Sequence, residues 1–413
     1  MAMLESLHFF NNRLLLEITP AHAPFERTLI DVAAWLAAPR AVQLSLVVMT
    51  LAVQRSRSCP VPAFDKDVLH YRGVCLNELT MLITDTSDDH HTLAFDCIQL
   101  VMLAEMQLEP LGPWAYHLEG TRRLIALQGG LDHLFYQKPA FRNLLINYME
   151  IDVLTSATCK VKALDEDAVN AQKDYFALLN DREEDTITTA CFMPIPLLQS
   201  ITEINGLRLR CSQHKFSPDE SFAIAHKFSR IQKTISTFDP THWASRILAY
   251  GKVRPQPIST LPCEEDFTAM ETLALCQQGA ANLYLYLSCN PAPQSYFLDT
   301  TQWTLTDNLE KLLSQASSDT EAPLHAQLYK CAAWPLFVAA YGKLGWGLDS
   351  SNGDDTQDLD RLGKVARKIQ SRPLAVAAEV LEKVKVDRAC RASRGDLWGW
   401  DDAFEGRCSF CVL

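Results

Sequence analysis

The sequence predicts an all-α protein, a large multi-helix bundle built as one unit or as two closely packed helical halves. Three observations carry that expectation. Apolar residues recur at intervals of three and four along most of the chain. Glycine and proline stand at the ends of those segments, where helices start and stop. No run alternates with period two beside a turn dipeptide, so strand signals are poor. With 413 residues, 48% apolar and 21% charged, the chain has a globular composition and can bury most of the surface its unfolded form exposes.

The elements follow in order. "TLIDVAAWLA" leads into Pro39, and Val42 to Val53 ("VQLSLVVMTLAV") is apolar on nearly every face, a core helix too short to span a membrane. Val68 to Ile83 places Leu69, Leu76, Leu79 and Ile83 on one expected buried stripe. "DTSDDHH" supplies a loop with Ser87, Asp88 or Asp89 as N-cap, before the apolar "TLAFDCIQLVMLAEMQL". In "EPLGPWAYHLEGTRRLIALQGGL", Pro113 suits a first helical turn and Gly129–Gly130 a stop. "AFRNLLINYMEIDVLTSATC" is a further helix. Lys160 to Pro196 reads as a polar, proline-punctuated excursion, and a sub-boundary within the single unit 1–413 is expected near 160–215. Helices are expected at Pro218–Phe238, Glu264–Ser288 and Ala322–Leu344, and two short ones around Pro373. No fixed-length repeat appears.

Composition narrows the function. A net charge of −12 without a basic arm removes the phosphate-neutralising term, so direct nucleic-acid binding is not expected. Thirteen cysteines are spread along the chain, and the one C-x-x-C (Cys408, Cys411) has no second pair, so no structural metal is expected. Adjacent His90 and His91 point about 100° apart on a helix and suit a solvated cap better than a metal. Cysteines within apolar runs, and no secretory signal, fit a reducing intracellular compartment. There is no nucleophile elbow, phosphate-binding glycine loop or dinucleotide fingerprint, and no cofactor is expected.

Two carboxylates stand inside apolar helices, Asp96 and Asp152, with Arg122 and Arg123 as partners for an internal ion pair. His117, Tyr148, Tyr284, Tyr286, His325, Tyr329 and Tyr341 are polar groups in apolar surroundings; they either line a pocket or sit satisfied in the core. Pro335 breaks an otherwise continuous apolar helix beside Trp334, and the bend would gather His325, Tyr329 and Tyr341. The candidate ligand-binding residues are therefore His117, Arg122, Arg123, Asp152, Tyr284, His325, Tyr329, Trp334 and Tyr341.

The succession "VQLSLVVMTLAV", "TLAFDCIQLVMLAEMQ", "WAYHLEGTRRLIALQGG", "FRNLLINYMEIDVLTS", "CQQGAANLYLYLSC", "CAAWPLFVAAYGKLGW" and "GDLWGWDDAF" resembles the regulatory, middle-homology domain of fungal zinc-cluster transcription factors (fungal-specific transcription factor domain 2), from about residue 10 to 405. The resemblance implies that "HLEGTRRLIALQGG" is a structural helix, with Gly120 admitting a close neighbour and Gly129 or Gly130 ending it. Family members carry a six-cysteine zinc cluster upstream, and this sequence opens inside the helical part. One reading is a regulator without its own DNA-binding module, tied to fungal secondary metabolism and acting through a small molecule or a protein partner in the nucleus. A second is a repurposed, cofactor-independent cytoplasmic enzyme, a cyclase, isomerase or pericyclase. A third is one part of a longer chain.

Overall fold

The computed structural model describes residues 2–15, 29–58, 65–84, 88–112, 114–164, 166–181, 193–212, 216–252, 264–289, 295–317, 328, 330–346, 357–369, 371–392 and 400–404. Among them the chain is all-α: it forms α-helices and short 3-10 and π turns. None of these helices is long and apolar enough to cross a membrane.

The N-terminal part is built on α3. Helix α1 (Ala2–Phe9), continued by a π turn at Phe10–Leu14, and α2 (Val32–Ala37) precede it. All of Leu44 to Val53 on α3 (Arg40–Ser58) is buried, as its uniformly apolar run requires. It packs against α1, α4 (Lys66–Thr84) and α5 (Asp88–Leu108). On α4 the fully buried residues are Val68, Cys75 and Leu79; of the expected stripe Leu79 is buried, Leu76 and Ile83 are half-buried against the core, and Leu69 is 44% exposed. Ser87 and the side chains of Asp88 and Asp89 lie outside the described residues.

Helix α6 (Ala115–Leu127) ends as the glycine pair predicts. Gly129 and Gly130 have φ of +89° and +92°, a region closed to most side chains. The Gly130 N–H reaches the Ile125 carbonyl at 2.9 Å and Gly129 N–H reaches Ala126 at 3.2 Å, closing the last turn. Gly120 plays no comparable part: a methyl group there would meet nothing within 4 Å. The close-approach glycine lies elsewhere, as shown below.

Helix α7 (Leu131–Gln137) leads to α8 (Arg142–Ala157), which is buried along most of its length. The expected excursion at 160–196 instead contains α9 (Glu166–Asp181) and the start of α10 (Ile195–Cys211). Val169, Gln172, Tyr175, Phe176 and Leu179 form the buried face of α9, and the two polar members disguise the stripe. Helix α11 (Pro218–Thr237) opens with a reciprocal cap, Ser217 accepting from the Glu220 N–H and Glu220 from the Ser217 N–H. Then come α12 (Pro240–Lys252), α13 (Glu264–Cys289), α14 (Ser295–Ser317), α15 (Ala333–Trp346), α16 (Gln357–Lys368) and α17 (Arg372–Ala392), closed by a 3-10 turn at Trp400–Phe404. Helices α12 and α14 fall where no helix was expected, and α17, with 21 residues, is not short. One large apolar core includes residues from Phe95 to Phe404 and has α13 and α15 at its centre.

The helical path turns at Ala332, where the Ala332 N–H still reaches the Leu328 carbonyl and the Leu336 N–H the Ala332 carbonyl, both at 2.9 Å, and Pro335, in the first turn of α15, brings no N–H to this turn. Gly342 on this helix is the position that admits a neighbour. A methyl group there would sit 2.2 Å from Gln302 Oε1 and 3.0 Å from Leu283 Cδ2, while Gln302 donates to the Ala339 carbonyl at 2.9 Å. Gly342→Ala should therefore lower the unfolding free energy by roughly 1–3 kcal/mol through overpacking, read from urea midpoints at constant m-value. An unchanged midpoint would show that Gln302 swings away freely.

Candidate functional site

The sequence-derived residues fall into two groups joined by one helix, α8. Asp152, wholly buried, forms the first. Arg122 Nη2 lies 2.5 Å from Asp152 Oδ1, the Tyr175 hydroxyl donates to Oδ2 at 2.8 Å, and Gln172 Nε2 donates to the same oxygen at 3.0 Å. The expected ion pair thus forms, and charge-assisted bonds of this kind offset the cost of burying the carboxylate. Arg123 takes no part: its side chain is 75% exposed and pairs with Glu119. Adjacent residues on a helix point about 100° apart, so only one of the two can face the core. Burial, followed by the Asp152 charge, pushes both Tyr148 and Tyr175 upward, so their hydroxyls stay protonated; Tyr175 is the donor, and Tyr148 accepts from it at 3.4 Å.

One turn later the same helix meets Arg208, 1% exposed on α10. Its Nη1 donates to the carbonyls of Ser156 (3.3 Å) and Ala157 (3.0 Å) and to the Tyr284 hydroxyl (2.7 Å). Its Nη2 reaches the Cys159 carbonyl and stands 3.4 Å from Asp401 Oδ1. These carbonyls are the unpaired acceptors at the C-terminal end of α8, where the helix dipole favours a cation. Burial alone would lower the arginine's proton affinity; Tyr284 and Asp401 outweigh it and hold the guanidinium charged. The Tyr284 hydroxyl donates to Asn205 Oδ1 at 2.7 Å, and Asn205 Nδ2 donates to the Val153 carbonyl at 3.1 Å.

Ser156 joins the two groups. Its hydroxyl donates to the Asp152 carbonyl at 2.9 Å and accepts from Gln172 at 2.9 Å, while its carbonyl accepts from Arg208. A continuous polar spine therefore runs from Arg122, 29% exposed at its side chain, to the fully buried Arg208. Around its inner end stand the aromatic candidates. Trp400 donates to the Ala157 carbonyl at 2.8 Å, and its ring lies 4.6 Å from Tyr341 and 4.9 Å from Tyr284. Trp334 packs edge-on to Tyr284 at 6.1 Å. Tyr284, Trp334 and Tyr341 thus converge, each at most 2% exposed. Not all demand is met: Trp334 Nε1 and both polar atoms of the Gln277 amide, wholly buried on α13, have no hydrogen-bond partner among the described residues. Gln277 lies two turns before Tyr284, on the same face.

His117 belongs to neither group. It is half-buried near Arg72, whose Nε lies 2.5 Å from the buried Glu105, and burial followed by the Arg72 charge lowers its proton affinity. His325, Tyr329, Cys408 and Cys411 lie outside the described residues. Among those described, no group of three or more His, Cys, Asp or Glu is placed to hold a metal ion, His90 and His91 included.

Asp96 differs from Asp152. Its Oδ1 is buried without a hydrogen-bond partner among the described residues, and burial pushes the carboxyl from its ordinary 3.8 to about 6. The folded protein thus holds a proton there, between pH 3.8 and about 6, that the unfolded chain has released. Stability contributed by the neutral acid is full below that window and is lost as pH rises through it. Asp96→Asn should add roughly 1–3 kcal/mol at neutral pH, with the gain shrinking to nothing near pH 4. A gain independent of pH would contradict the assignment.

Sequence reasoning missed Arg208, Gln172, Tyr175, Asn205 and Asp401. It also missed the wholly buried Asp358, which pairs with Lys343 at 3.0 Å and Arg361 at 2.8 Å and accepts from Thr306 at 3.0 Å, joining α14, α15 and α16. A family model described as a fungal specific transcription factor domain matches residues 7–407. No curated protein and no solved structure matches the chain.

Proposed function

The chain belongs to the fungal specific transcription factor domain family, and we propose that within it this domain regulates transcription by sensing a small molecule, without touching DNA itself. The polar groups along α8 favour a structural lock over acid–base chemistry. Asp152 is engaged by three donors and Arg208 by backbone carbonyls, so neither is free to exchange a proton with a substrate. The observation that carries the sensing role is the unmet polar demand of Trp334, which packs edge-on against Tyr284, and of Gln277, two turns before Tyr284 on α13. Buried amides without partners cost about 1–3 kcal/mol each, and a bound ligand with a donor and an acceptor would repay that. The expected ligand is a largely apolar metabolite with a few polar atoms. The expected setting is a fungal biosynthetic pathway, with the protein in the nucleus.

Deleting the gene and measuring both neighbouring transcripts and metabolites tests the regulatory role. Falling transcripts are expected; normal transcripts with one accumulating intermediate would overturn it in favour of an enzyme. Gln277→Leu tests the ligand. It should abolish the transcriptional response in a protein that still folds. A stabilised protein with its response intact would reduce Gln277 to a packing defect.

A further inference from the structure

We propose that Cys211 and Cys289 form a peroxide-sensitive dithiol that closes into a disulfide and ties the ends of α10 and α13 together. Each is the last residue of its helix, and the two helices pack side by side. The Cys211 sulfur lies 4.0 Å from the Cys289 carbonyl oxygen, and the Cys289 thiol stands 3.8 Å from the Ile204 carbonyl of α10. Cys211 is half-buried and within reach of a small oxidant; Cys289 is 6% exposed behind it.

Their environments divide the work. The Cys289 thiol donates toward the Cys211 sulfur and holds its proton affinity down; burial opposes this and the Lys227 ammonium reinforces it. The end of α10 works against an anion there, and the donor and ammonium outweigh it. Burial pushes Cys289 upward. Cys211 is therefore the attacking thiolate and Cys289 the resolving thiol.

The Cys211 thiolate attacks one oxygen of hydrogen peroxide. The S–O bond forms as the O–O bond breaks, hydroxide leaves, and the sulfur becomes a sulfenic acid. The Cys289 sulfur then attacks the Cys211 sulfur, forming S–S and breaking S–O, and its proton leaves with the departing hydroxide as water. Overall two thiols and one peroxide give one disulfide and two waters. Closure to a bond of about 2.05 Å draws the helix ends together beside Arg208 and Tyr284, whose hydrogen bond joins the same two helices. Cys75 and Cys97 provide an internal contrast. They are neighbours on α4 and α5, both wholly buried, and burial pushes them to about 12 and about 11.

The test treats the reduced full chain with limiting hydrogen peroxide, blocks remaining thiols and maps peptides without reduction. A Cys211–Cys289 linked peptide is expected, with Cys211 consumed at least about ten-fold faster than Cys75 or Cys97. In Cys289→Ser the linkage should vanish and a sulfenic acid at Cys211 should be captured by a 1,3-dione. Consumption of Cys211 no faster than Cys75, its linkage to a different cysteine, or its arrest as sulfenic acid in the unaltered protein would each overturn the proposal. The unaltered protein decides the matter alone if the variant fails to fold.

Discussion

Replacing Arg208 with methionine is expected to lower the unfolding free energy by about 3–5 kcal/mol. The side chain is 1% exposed, and its guanidinium is shared among three backbone carbonyls, the Tyr284 hydroxyl and Asp401. Methionine fills a similar volume, so the loss isolates acceptors left buried without donors. Asp401 moderates the effect, because at 36% exposure it can turn to water and keep its bond to the Val161 N–H. Arg123→Ala is the matched control: an exposed arginine in a surface pair should change stability by less than about 0.5 kcal/mol. Denaturant unfolding of both variants checks the contrast, and equal losses would contradict it.

Trp400→Ala should cost a similar amount, about 3–5 kcal/mol. The indole is 1% exposed and touches Tyr284, Phe337, Tyr341 and Phe404, while its N–H satisfies the Ala157 carbonyl. It is the anchor by which the 3-10 turn at Trp400–Phe404 docks onto the end of α8. Because Asp401 follows it directly, its loss should also weaken the Arg208 environment. Thermal unfolding gives the measurement. A loss below about 1 kcal/mol would show that neighbouring rings refill the space.

What the sequence made legible depended on how local the signal was. The helical class, the buried run of α3 and the glycine stop after α6 follow from short-range periodicity and backbone freedom, and all three stand in the structure. Asp152 was legible because a carboxylate inside "YMEIDVLTS" demands a partner, and Arg122 is that partner. Arg208 was not, since "NGLRLRC" reads as an amphipathic helix with its arginines in water. Its burial is set by carbonyls about fifty residues away in sequence, which no local pattern reports. Helix α9 escaped for a related reason: its core face carries Gln172 and Tyr175, which serve Asp152 and so look polar. The acid of "TQDLDRLGK" resembled a solvated loop residue, yet Asp358 is wholly buried between two cations from different helices.

The central claim is that the polar groups along α8 act as one lock joining Arg122 to Arg208 through Ser156. A double-mutant cycle between Asp152→Asn and Arg208→Lys measures that coupling. The two side chains do not touch, so independent sites would give losses that add within about 0.5 kcal/mol. A single cooperative spine predicts a coupling energy above that limit, within the range of about 0.5–3 kcal/mol seen for shared networks. Strict additivity would contradict the lock and leave two unrelated buried ion clusters.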